Sequence, residues 1–359
     1  MADDTIAPAE TGVTAFVGRL PPGKTDNAIA VRSLGDVKQL FGAADKDDPL
    51  VASLEDFFAN GGDLAFVVAD GGAQGSLSGL DHVEFDLLVV PPDAGGRDGA
   101  PAILAAAAAY CVQRRAFLIC DPPAAWESAE RAGNIDAIDT QSLGISADAE
   151  DHAAVYFPRL KPAATDDPLS AAAPSGAVAG CLARNDRAQG VWAAPAGPAM
   201  TLTATAGPSS ALNDGAVRLL NTKGVNVLRA LPDGSTVIWG GRTLRAAPRD
   251  PYRYVPVRRF ALYLERSIAR GTQWAQFEPN AEPLWSRVRA SVTDFLMTTG
   301  VARLWPRPRM GFFVRCDRTT MTQDDLDSGR LVIVVGIAPL QPAQFVEIRI
   351  EQIVRPASG

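Results

Sequence analysis

Between residues 12 and 157 the chain alternates short, continuously apolar runs with segments of helical periodicity, and few architectures accommodate that order. The runs are GVTAFVG at 12–18, LAFVVA at 64–69, FDLLVV at 85–90, AFLIC at 116–120 and AAVYF at 153–157. Runs of this kind suit strands buried on both faces. Between them, Ser33 is placed to cap a short helix through Phe41. Leu50, Leu54, Phe57 and Phe58 recur at helical spacing until Gly61-Gly62, and further helices are predicted over 101–113 and 126–133. Strand–helix repetition of this kind predicts an α/β layered core with parallel strands.

Residues 162–208 are rich in Pro, Ala, Gly and Thr and read as long ordered loops around a short helix or turn at 175–184. Strands at 226–230 and 236–240 flank Leu231-Pro232-Asp233-Gly234, a hairpin signal. The last hundred residues read as a separate α+β unit. A helix over 257–269 carries Phe260, Leu264 and Ile268 on one face and Arg259, Arg266 and Arg270 on another stripe. A second helix, 284–298, buries Leu284, Trp285, Val288, Val292, Phe295 and Leu296, with Arg287 pointing away. Strands at 311–315 and 331–337 follow. The chain closes on 345–354 (FVEIRIEQIV), where Phe345, Glu347, Arg349 and Glu351 alternate with Val346, Ile348 and Ile350. Such a strand can pair within its own domain or with the sheet edge of a neighbouring subunit. The expected division is a short N-terminal arm or strand (1–20), an α/β domain (21–250) and a C-terminal α+β domain (251–359).

Charge is uneven along the chain. The net charge is -7, yet residues 251–320 carry 12 arginines and 5 acids, whereas residues 1–100 carry 6 basic and 17 acidic groups. The acidic total argues against nucleic-acid or anionic-membrane binding, and the arginine block suggests one face for an acidic partner. The opening MADDTIAPAE does not read as a signal peptide, and the apolar stretches are too short to span a bilayer. Four scattered cysteines offer no metal-ligand spacing and suit a reduced compartment.

Chemistry is sparse. A Ser/His/Asp or Cys/His site would need His82 or His152, the only two histidines, and neither lies near a nucleophile elbow. The acidic runs Asp45/Asp47/Asp48 and Asp324/Asp325/Asp327 lack the glycine and distal glutamate of a calcium loop. Gly71-Gly72-Ala73-Gln74-Gly75 follows a strand but lacks the ending of a phosphate loop. No catalytic, cofactor-binding or metal residues are assigned.

Several stretches together resemble the tail sheath family of contractile phage tails and related injection systems. They are GVTAFVGRLPPG, DFFANGGDLAFVV, APSGAVAGCLARNDRAQGVWAAPAG, GVNVLRALPDGSTVIWGGRTL, YRYVPVRRFALYLERSIARGTQWAQFEPNAEPLW and FFVRCDRTTMTQDDLDSGRLVIVVGIAPLQPAQFVEIRI. The resemblance implies a non-catalytic, subtilisin-like layered α/β sheath domain plus a C-terminal α+β sheath domain with inter-subunit β-strand exchange. It further implies a structural subunit that stacks as hexameric rings around an inner tube, contracts to drive the tube through a target envelope, and meets baseplate and cap or terminator proteins. Assembly would be cytoplasmic, as part of a phage tail or phage-tail-like injection particle. On that footing Phe345, Val346, Ile348, Ile350, Ile353 and Val354 are candidates for the exchanged strand, and Arg259, Arg266, Arg270 and Arg287 for facing the tube. The polar stretch before residue 12 is short for the family's N-terminal arm, and residues 299–311 are short for its usual connection. A specialised baseplate-proximal or terminal ring paralogue is the alternative, and a subtilisin-like hydrolase the reading from another class.

Overall fold

The computed structural model describes residues 4–21, 27–42, 48–69, 77–92, 101–163, 171–298, 311–338 and 346–356. They group into two compact units, one of residues 10–259 and one of residues 1–9 with 260–359. The expected boundary at 250/251 therefore moves into a helix, and the opening residues group with the C-terminal unit instead of forming a separate arm.

In chain order the larger unit holds β1 (Thr14–Gly18), β2 (Ile29–Val31), α1 (Leu34–Phe41), α2 (Pro49–Ala59), β3 (Ala65–Ala69), β4 (Leu87–Val89), α3 (Pro101–Arg114), β5 (Phe117–Cys120), α4 (Ala124–Arg131), β6 (Ala153–Phe157), β7 (Leu160–Pro162), α5 (Ser175–Gln189), β8 (Thr201–Leu202), β9 (Thr205–Pro208), α6 (Asp214–Thr222), β10 (Val225–Ala230) and β11 (Thr236–Trp239). Nine strands form one sheet in the order β2-β3-β1-β4-β5-β6-β10-β11-β8. The six from β3 to β10 are parallel, and antiparallel strands cap both edges.

Both faces of the parallel strands are covered, which is why their sequences are apolar without alternation. On one face Ala15, Val17, Leu88, Leu118, Cys120, Val155 and Val227 pack with Leu104, Ala107, Ala108 and Cys111 of α3 and with Val217 and Leu220 of α6. On the other, α2 lies against β1, with Phe57 edge-on to Phe16 at 5.4 Å, and α5 lies against β4 and β5.

Two expectations need correcting. The stretch read as loops around a short helix contains α5, a fifteen-residue helix whose first twelve residues are nearly all buried, together with β8 and β9. The reason lies in Gly176 and Gly180, one turn apart on α5. A Cβ on Gly176 would stand 2.1 Å from the Ser53 carbonyl oxygen, and one on Gly180 2.2 Å from that of Phe57. These glycines let α5 touch the backbone of α2. The amphipathic helix α6, capped by Asn213 Oδ1 accepting from the Ala216 amide at 2.9 Å, was likewise not expected.

Helix α7 (Val255–Gly271) spans the division between units. The smaller unit continues with α8 (Glu282–Thr298), β12 (Phe312–Arg315), α9 (Gln323–Asp327), β13 (Arg330–Ile337) and β14 (Val346–Ile353). Its sheet is antiparallel in the order β12-β13-β14. Ile333, Val335 and Ile337 share one buried face with Ile350, Ile348 and Val346 opposite them.

Candidate assembly surfaces

The arrangement nearest to an active site joins Asp121, just after β5, to Ser175 at the start of α5. The Ser175 amide donates to Asp121 Oδ1 at 2.8 Å, and its hydroxyl donates to Oδ2 at 2.7 Å. Ser175 is fully buried, and the carboxylate serves the unpaired donors and positive end of the helix. No imidazole stands between them.

His152 is committed elsewhere. Arg258 Nη2 lies 2.7 Å from its Nε2, and Asp151 Oδ1 lies 3.1 Å from its Nδ1. A guanidinium can only donate, so Nε2 keeps its lone pair and Nδ1 carries the hydrogen given to Asp151. His82 is exposed in a turn. All four cysteines are buried. Burial pushes the Cys181 thiol up to about 11 and that of Cys316 to about 12, so both stay protonated at neutral pH.

The acidic runs serve as helix caps: Asp48 Oδ1 accepts from the Leu50 amide at 2.8 Å, and Asp325 forms a reciprocal capping box with Thr322 on α9. Asp45, Asp47 and the 71–75 glycine run lie outside the described residues. Among the described residues no group of three or more His, Cys, Asp or Glu is placed to hold a metal, and no helix is long and apolar enough to cross a membrane. A pocket of about 410 Å³ opens at the C-terminal ends of β4 and β5, walled mainly by Val90, Leu104, Pro122, Trp126 and Leu143.

The terminal strand pairs with β13 of its own chain over eight residue pairs, from Arg330 opposite Ile353 to Ile337 opposite Val346. Of the candidate exchange residues, Val346, Ile348 and Ile350 point into the core beneath the sheet. Val354, just past the strand, is also buried, and Ile353 is 70% exposed. Phe345 lies outside the described residues. Burying three such aliphatic side chains is worth roughly 5–9 kcal/mol. The strand therefore leaves β13 at low cost only if an equivalent strand replaces it.

The arginine stripe divides. Arg259 cannot face a tube, because it is 4% exposed and grips Asp186 with two nitrogens (2.9 and 2.6 Å) and Asp86 with one (2.9 Å). Arg266 is half-buried and Arg270 exposed, the latter donating to the Pro8 carbonyl at 2.8 Å. Arg287 pairs with Asp4 at 3.0 Å and Glu278 at 3.1 Å, its guanidinium 4.6 Å above the Trp274 ring. Arg258 and Arg289 bind Asp151 and Glu282. Much of the basic block is thus neutralised within the chain, and three of the partner acids, Asp4, Asp86 and Asp151, lie more than a hundred residues from their arginines, where no local pattern reveals them.

The α/β layer thus spends its buried Ser175–Asp121 pair on a helix cap, and the smaller unit carries β14 at the edge of its sheet. The comparisons with known proteins identify the family. Residues 67–244 match the family model of the phage tail sheath protein central domain. A sheath chain from the contracted PVC sheath complex of an extracellular contractile injection system is 30% identical, with 95% of this chain and 92% of that one covered and a TM-score of 0.75. The helical sheath of the anti-feeding prophage in its contracted state gives 28% identity, 96% and 95% coverage and a TM-score of 0.77. A chain of the anti-feeding prophage baseplate gives 28% identity, 96% coverage of both chains and a TM-score of 0.75. None of the curated proteins compared with the chain matches it. The chain belongs to the contractile tail sheath protein family, and it is a structural protein, not an enzyme.

Proposed function

We propose that this protein is the repeating subunit of a contractile sheath, stacked as hexameric rings around an inner tube and shortening to drive that tube through a target envelope. The observation that carries the reading is the similarity, over nearly the whole chain, to sheath subunits in contracted assemblies. The larger unit supplies a rigid, subtilisin-like α/β body without catalytic use, in keeping with the Ser175–Asp121 cap. The smaller unit supplies strand exchange. β14 leaves the β13 of its own chain for that of a neighbour, so the eight pairs lost are regained and subunits stay tethered while their bodies move. An acidic tube meets the exposed Arg270 and the half-buried Arg266. Baseplate and cap proteins close the two ends, and the particle assembles in the cytoplasm.

The test is to lock the strand at home. Val334 and Arg349 stand opposite each other on the outward face of β13 and β14, and a V334C/R349C disulfide holds them together. The oxidised protein is expected to remain monomeric and the reduced protein to form tubes. Long tubes from the fully oxidised protein would refute strand exchange. The match to a baseplate chain favours a second reading, a ring at the baseplate end. Electron microscopy separates the two, since only the first gives long cylinders.

A further inference from the structure

Between the end of β11 and the start of α7, within the larger unit, two short stretches of chain are clamped side by side. Arg242 pairs with Tyr254 as an antiparallel bridge, the Val255 amide donates to the Gly241 carbonyl at 2.9 Å, and the Thr243 amide donates to the Arg253 carbonyl at 3.0 Å. Asn226 of β10, fully buried, fixes the Arg242 backbone, accepting from its amide and donating to its carbonyl, each at 2.7 Å. On this rigid support three side chains converge. The guanidinium carbons of Arg242 and Arg253 stand 5.5 and 5.4 Å from the centre of the Tyr254 ring, and all three residues are half-buried.

The arginines around them are matched to acids: Arg245 to Asp250 and Asp151, Arg258 to Asp151, and Arg259 to Asp86 and Asp186. Among the described residues neither Arg242 nor Arg253 meets a carboxylate. Asp250, the acid nearest to Arg253 in sequence, is already used, its Oδ2 by Arg245 at 3.0 Å and its Oδ1 by the Tyr252 amide at 2.9 Å. Arg253 gives one nitrogen to the Pro248 carbonyl, and its Nε is buried without a partner. The Arg242 guanidinium and the Tyr254 hydroxyl make no hydrogen bond among the described residues. Burial, and then the charge of Arg253, hold Arg242 below the usual arginine range. Two like charges kept together and partly out of water are unfavourable until a negative group joins them.

We propose that Arg242, Arg253 and Tyr254 form a binding site for a doubly charged tetrahedral oxyanion, inorganic phosphate. The inference is independent of the sheath reading. Two guanidinium forks offer several N–H donors to such an ion, the phenol adds an O–H, and two positive charges match its two negative ones. A single carboxylate leaves one arginine unmatched. Because the backbone is already fixed at 241–243 and 253–255, binding has to order only the side chains.

The experiment titrates the full chain with sodium phosphate at pH 7.5 and constant ionic strength, followed by calorimetry. Saturation with a Kd of about 1 mM or tighter is expected, with sulfate similar and acetate weaker by about tenfold or more. R242Q should weaken phosphate by about tenfold or more, and R242K, which keeps the charge but loses the fork, by less than R242Q. In the unaltered protein, phosphate should slow the modification of Arg242 by phenylglyoxal, read by peptide mass spectrometry, while the exposed Arg218 of α6 reacts at its former rate. No saturation by about 20 mM, acetate binding as tightly as phosphate, or no protection of Arg242 would each overturn the proposal. The protection assay needs no variant, so it decides the matter even if R242Q does not fold.

Discussion

Replacing Arg259 by methionine keeps most of the side-chain volume on α7 and removes the charge that two buried carboxylates share. Asp186 and Asp86 are 6% and 5% exposed, and Asp86 Oδ1 already has no hydrogen-bond partner. Even with the guanidinium in place, burial outweighs it and holds the Asp186 carboxyl above the usual carboxylate range. Removing one member of a buried ionic cluster costs about 3–5 kcal/mol, because the remaining charge has neither water nor a partner. At a urea slope of about 3 kcal/mol per M, the unfolding midpoint falls by roughly 1–1.5 M, followed by circular dichroism at pH 7.

The pH dependence identifies the mechanism. In R259M the native Asp186 carboxyl, already held above its unfolded value by burial, loses its cationic partner, so between the folded and unfolded values the native state binds more protons. Stability then declines as pH rises through that window, and the deficit against wild type is larger at pH 8 than at pH 5. Replacing the whole cluster (R259M/D86N/D186L) should recover most of the loss, since no charge is left stranded. A deficit below about 1 kcal/mol, or one indifferent to pH, would mean that water reaches the cluster and that the burial argument is wrong.

Two further outcomes follow from the larger unit. Gly180→Ala places a methyl 2.2 Å from the Phe57 carbonyl oxygen, so α2 and α5 must separate. A loss of at least about 1–3 kcal/mol is expected despite alanine's better helix propensity, and a rise in melting temperature would refute the close-packing account. Asp56, held at about 7 first by burial and then by the charges of Glu55 and Asp121, stabilises the fold when protonated, and that contribution is lost as pH rises from about 4 through 7. Asp56→Asn should therefore stabilise by about 1–3 kcal/mol at pH 8 and by little at pH 4, measured by denaturant titration at both.

The layered α/β core was legible because burial on both faces of a parallel sheet leaves a local signature, the unbroken apolar run. β1, β3, β5 and β6 lie where such runs stand. Ser33 was legible as a cap, since capping involves groups only three residues apart. The inward set of β14 followed from a period of two, and the family followed from long stretches of residues taken together.

What stayed hidden depended on partners distant in sequence. The role of Gly176 and Gly180 lies in the backbone of α2, more than a hundred residues earlier. Arg259 looked like part of an exposed basic stripe, and Arg287 like an outward-pointing residue of the next helix, until Asp86, Asp186 and Asp4 came to meet them from separations of 173, 73 and 283 residues. Sequence alone determined the order and type of most elements and the absence of a recognisable catalytic pattern, because periodicity and capping are short-range. Only the tertiary structure decided which charges are spent inside the chain and where the N-terminal segment is seated, because burial and ion pairing are set by what folding brings together.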